Sequence, residues 1–183
     1  MTLTHDIRSK ILIVGGIVVV ALAMLASLVS ADVTGKLRPS SDGAYLQWTP
    51  KTGTTHYTMV DESLCNGTSD YNSTNTVGNR DSYGINLASV PNGAAMTAVA
   101  IVPCASRNKT GGGSATMNVF YRFDGADSAD VGNYALTGLT PVDLATTTFS
   151  GLSLTKGSAS TLEVGAVLSA GTKGARLSQM VVT

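Results

Sequence analysis

Beyond residue 31 no stretch of useful length keeps a helical period; short runs of alternating or β-rich residues recur instead, each closed by Gly, Pro, Asn, Asp or Ser. "MNVFYRF" is the clearest of them. Met117, Val119, Tyr121 and Phe123 fall on one face of a strand, and Asn118, Phe120 and Arg122 on the other. The same pattern predicts strands near Gly43–Trp48, His56–Val60, Ser82–Leu87, Met96–Val102, Thr146–Leu154, Thr161–Ser169 and Arg176–Val182. "SSDG", "PKTG", "PNG", "NKTGGGS", "FDGADSAD", "TKGS" and "SAGTKG" read as the turns between them. Some eight short strands at regular spacing predict an all-β protein, a sandwich or a barrel.

The first 31 residues follow a different grammar. Arg8 and Lys10 precede an uncharged apolar run from Ile11 to Val29, and Val29 and Ala31 sit at −3 and −1 of a cut after Ala31. This is the layout of a secretory signal peptide over 1–31. The run is also long enough to cross a bilayer as an uncleaved anchor, and a pilin-like cut near Lys10 is a third reading. The membrane is involved only through residues 11–29, and only if they are retained. Charge places everything after residue 31 outside in each case, so the expected location is secreted or cell-surface, extracytoplasmic. The expected domains are 1–31, an extended arm over 32–42, and a β-sandwich over 43–183.

Twelve basic and twelve acidic residues balance in the 183-residue chain. Removing Arg8, Lys10 and Asp6 leaves ten facing eleven beyond the leader. Charged residues make up 13% of the chain, about half the usual share. Nothing here is the clustered basic face that a nucleic-acid partner requires. Two cysteines, Cys65 and Cys104, remain in the exported part. In an oxidising compartment they are expected to pair across a loop of about 40 residues; two separate buried thiols are the alternative.

"LRPSSDGAYLQWTP" followed by "HYTMVDESLCNGTSDYNSTNTVGNRDSYGI" resembles jelly-roll-type β-sandwich modules of uncharacterised prokaryotic surface proteins and of phage structural proteins. The features are Trp-x-Pro, a Val-Asp-Glu after an aromatic, an Asp/Thr-rich loop and Asp-x-Tyr leading a strand. "LASVPNGAAMTAVAIV" and "ARLSQMVVT" extend the likeness to the end of the chain. It implies a jelly-roll-like antiparallel β-sandwich and carries little about function. The cysteine pair departs from the pattern and reads as a local staple.

Residues 57–74 concentrate the polar side chains. Asp61, Glu62, Asp70 and Asp81 offer oxygens that suit a structural calcium, although Asn75 stands where an EF-hand needs glycine and the flanks are β. The simpler reading is an Asx-rich connection whose side chains satisfy turn amides. No other cofactor is indicated. Asn66, Asn72 and Asn108 head Asn-x-Thr triplets and are candidate glycan acceptors. Tyr71 is the aromatic best placed to stack on a sugar, and Trp48 reads as core. His56 lies in an alternating pattern and reads as sheet. No nucleophile elbow, paired-histidine site or phosphate loop occurs, so the chain is expected not to be an enzyme.

The sequence therefore points to a non-enzymatic extracellular structural protein, displayed on a surface or built as a homo-oligomer or polymer into a filament, sheath or layer. An adhesion module for glycans or a cell-surface ligand is the alternative, and a virion structural protein the second. Polymerisation has a candidate device: Val33, Gly35 and Leu37 of the arm would donate a strand to a neighbour, ended by Pro39.

Overall fold

The structure, a computed structural model, describes residues 35–67 and 69–183. The leader over 1–31 and Val33 lie outside the described residues. Twelve strands follow in chain order: β1 (Pro39–Leu46), β2 (Thr49–Pro50), β3 (Asn72–Thr74), β4 (Arg80–Ile85), β5 (Ala95–Arg107), β6 (Ala115–Phe123), β7 (Ala126–Asp127), β8 (Val131–Leu136), β9 (Val142–Asp143), β10 (Thr147–Thr155), β11 (Leu162–Gly171) and β12 (Ala175–Val182). The first sheet runs β1-β4-β11-β6-β7, with β8 also paired to β6; the second runs β10-β5-β12-β3-β2, with β9 also on β5. All pairings are antiparallel. The fold is a jelly-roll-like antiparallel β-sandwich.

Alternation explains the core between the sheets. On β6, Met117 and Val119 are fully buried, with Tyr121 and Phe123 packed against the same cluster. Val164, Ala166 and Leu168 face them from β11, and Leu177, Met180 and Val182 from β12. Tyr121 meets Phe149 of β10 edge-on, with centroids 5.0 Å apart. Each such fully buried aliphatic or aromatic side chain contributes roughly 1.5–3 kcal/mol.

Two local expectations are corrected. His56–Val60 is not a strand: Tyr57–Met59 forms a 3₁₀ turn, in which Met59 N donates to His56 O and Val60 N to Tyr57 O. Met59 and Val60 are both buried, whereas a strand would send adjacent side chains to opposite faces. The arm also ends sooner than expected. Pro39 opens β1 instead of closing a donated strand, standing at the first position of an edge strand, where its missing donor is tolerated. "SSDG" is absorbed into β1 by two register shifts. Ahead of it, Leu37 N donates to Val182 O at 2.8 Å and Val182 N returns to Leu37 O at 2.9 Å. Leu37 thus completes its own domain's sheet, while Gly35 lies exposed before it.

Candidate functional site

Strand β4 sends polar groups to both sides of the first sheet. Asp81 and Tyr83 point inward and are fully buried. His56 Nδ1 lies 2.9 Å from both carboxylate oxygens of Asp81. Tyr83 donates its hydroxyl to Asp81 Oδ2 at 2.8 Å. Asn72 Nδ2 donates both to Tyr83 Oη and to His56 O. Burial lifts the Asp81 carboxyl above its ordinary value, against the lowering pull of His56 and Tyr83. Burial, reinforced by the charge of Asp81, pushes Tyr83 well above its usual range and keeps the phenol a neutral donor. With Asp81 and Tyr83 wholly enclosed, the cluster offers a substrate no access. It braces the core.

The outer face of the same sheet carries a different assembly. Phe120 projects outward from β6 yet has no exposed surface. It can lie flat because Gly165 of β11 has no side chain: a Cβ there would collide with Phe120 Cζ and Asp81 O. The Arg80 guanidinium sits 4.4 Å above the Phe120 ring, and Tyr45 of β1 packs edge-on at 5.9 Å. Arg80 and Arg122 both lie over the Tyr45 ring, at 5.5 and 5.6 Å. Arg80 grips Asp130 with two contacts of 2.5 and 2.6 Å. Arg122 meets Asp127 at 3.1 Å and Glu163 at 3.9 Å. Tyr45 donates to Asp127 Oδ2 at 2.7 Å, and that bond is the main reason its phenol is held above the usual value. Glu163 in turn accepts from Ser82 Oγ and Ala44 N. The result is an aromatic platform rimmed by two guanidinium groups and three carboxylates, all still reached by solvent. In the sequence Tyr45 is one of several aromatics that a sugar platform could use, and Phe120 and Arg122 lie in the outward row with Asn118; nothing there singles out Arg80 or Glu163.

The residues singled out from sequence are scattered. Cys65 and Cys104 are joined as a disulfide across 39 positions. Asp143 lies close to their sulfurs, but sulfurs bonded to each other are not thiolate ligands. Among the described residues, Asp61, Glu62, Asp70 and Asp81 form no cluster of three metal-ligating groups, and the oxygens of Asp81 are taken by His56 and Tyr83. Tyr71 is buried, not exposed: Arg176 covers its ring at 4.6 Å and Lys51 at 5.8 Å. Trp48 is core, with Nε1 donating to Asn79 O. Asn72 is corrected as a glycan acceptor. It has no exposed surface, and the nitrogen a glycan would occupy is committed to two hydrogen bonds. Asn108 Nδ2 donates to Asn75 Oδ1 at 3.1 Å, while Asn66 is exposed.

No family model matches the sequence, and no curated protein does. Among solved structures, the chain is similar to the CBM36-1 domain of a multidomain xylanase from the hindgut metagenome of Trinervitermes trinervoides. Identity is 11% and the TM-score 0.40, over 81% of this chain and 95% of that one. It is also similar to a family GH115 4-O-methyl-alpha-glucuronidase, BtGH115A, with specificity for decorated arabinogalactans. There identity is 10% and the TM-score 0.41, over 82% of this chain and 17% of that one.

Proposed function

We propose that the protein is a non-enzymatic extracellular binding module that recognises a glycan on the outer face of its first sheet. The observation that supports this is the Tyr45 platform. Sugar recognition combines an aromatic body with polar groups held at fixed spacing, because hydroxyls both donate and accept. Tyr45, Arg80, Arg122 and Glu163 are mounted on strands, which hold such a constellation more rigidly than loops do. Asp127 and Asp130 close its rim. Leu37, the donor-strand residue that the structure describes in pairing, bonds to Val182 of its own chain, which favours the module reading. The disulfide suits an oxidising compartment outside the cytoplasm.

The test is a glycan array probed with the full-length protein, followed by titration of any neutral oligosaccharide that binds. Tyr45→Ala should weaken binding by about tenfold, the scale of a central aromatic contact. Tyr45→Phe, which removes only the hydroxyl, should weaken it less. An empty array, or a Tyr45→Ala protein that binds like wild type, would sink the proposal.

A further inference from the structure

The second sheet presents cations where the first presents ion pairs. Lys51 follows β2, Arg176 belongs to β12, and Lys109 and Lys173 lie in the adjoining loops after β5 and β11. The loops are joined by Lys109 N donating to Lys173 O at 3.1 Å. Lys51 N donates to Tyr71 O at 2.9 Å, which ties β2 to the residue before β3. Lys51 Nζ lies over the Tyr71 ring at 5.8 Å and the Arg176 guanidinium at 4.6 Å. Arg176 is oriented by Asn108, donating from Nε to Oδ1 at 2.7 Å and from Nη2 to the main-chain oxygen at 3.1 Å. Among the described residues, none of these four cations has a carboxylate within ion-pair distance. Asp70, the carboxylate next to Tyr71 in sequence, accepts from Ser69 Oγ.

We infer that this face is a second binding surface, separate from the Tyr45 platform, and that its partner is an anionic polysaccharide carrying uronate carboxylates. Four unpaired cations on a chain of zero formal charge form a local field that a polyanion complements. Arg176 supplies the specificity. Its guanidinium is fixed through Nε, while Nη1 has no protein partner among the described residues, and the planar fork matches a carboxylate. The Asn108 and Asn75 amides, hydrogen-bonded to each other at 3.1 Å, place further polar groups suited to hydroxyls beside it. Tyr71 offers no stacking face because it is buried, which disfavours single-stranded nucleic acid, a ligand that relies on base stacking.

The test uses the full-length protein on immobilised polygalacturonate, with dextran as the neutral polymer and polyphosphate as a charge-only polymer. Expected is binding to polygalacturonate that weakens as salt rises, since the cations are solvent-exposed or half-buried. Arg176→Gln should lower affinity by about tenfold, the loss of one charge-assisted fork, and Arg176→Lys should recover part of it. Tyr45→Ala, at the other face, should leave this binding unchanged and so separates the two sites. Thermal unfolding of each variant guards against simple loss of fold. No binding to polygalacturonate, equal binding to dextran or to polyphosphate, or an Arg176→Gln protein of wild-type affinity would each overturn the inference.

Discussion

The two sheets of the sandwich are braced in opposite ways. In the first, β4 alternates Arg80 outward into the ion-paired platform with Asp81 inward to His56 and Tyr83, so polar contacts hold the sheet from both sides. In the second, Cys104 of β5 is tied covalently to Cys65, and the cations outside meet an aromatic ring and amides instead of carboxylates. A polar network sealed in the core with its own partners, as at Asp81 and Tyr83, stabilises the fold and leaves a ligand nothing to reach. Charges held in place but left unpaired do the reverse.

The sharpest way to break this contrast is to open the staple. Cys65→Ser should destabilise by about 4 kcal/mol on the chain-entropy account of a loop of this size. Denaturant titration of oxidised wild type and variant measures it, and a loss under about 1 kcal/mol would mean that the second sheet does not depend on its covalent tie.

The inward brace comes next. Asp81→Ala strands His56 and Tyr83 without their common acceptor in a sealed core, and should cost about 3 kcal/mol. Asp81→Asn isolates the charge. Burial raises the Asp81 carboxyl in the folded state, so the fold binds that proton more tightly than the unfolded chain does. This contribution is complete below the unfolded value of 3.8 and is lost as pH rises through the raised folded value. Asp81→Asn lacks the loss, so wild type should hold its largest relative advantage at acid pH and give it up on going toward neutrality. Urea unfolding at successive pH values checks the sign; an advantage that grows with pH contradicts it.

The smallest effect compares two arginines directly. Arg80→Ala removes the cover of Phe120 and two ion pairs, and should cost about 1 kcal/mol, a charge network's share plus lost packing. Arg176→Ala should cost less than about 0.5 kcal/mol in stability. Thermal melts of the two proteins decide it, and an Arg176 variant that falls further than the Arg80 variant would reverse the roles assigned to the two faces.

Much of the architecture is legible in the sequence because alternation is local. Met117 through Phe123 declares a strand and its inward face, and the turn residues space most of the remaining strands. What escapes is decided between distant residues. Phe120 reads as an outward aromatic, and only Arg80, Tyr45 and the gap at Gly165 explain its burial. Tyr71 sits in a polar loop, yet Arg176, far along the chain, closes over it. Asn72 reads as a surface sequon because nothing nearby announces that His56 and Tyr83 will draw it inward. "VGNYAL" escapes as β8 because Gly132 and Asn133 both adopt positive φ, which breaks the alternation where a pattern would be sought.

The Cys65–Cys104 bond also sets how this molecule answers to tension. Pulled between Gly35 and Thr183, the chain passes straight across the sulfurs, and the 39 positions they bracket withhold about 130 Å of contour from extension. That bracket holds β3, β4 and most of β5, strands from both sheets. A load from the N-terminal side falls first on Leu37 and β1, an edge strand outside the bracket. Tension from that side therefore peels the rim before it reaches the tied interior.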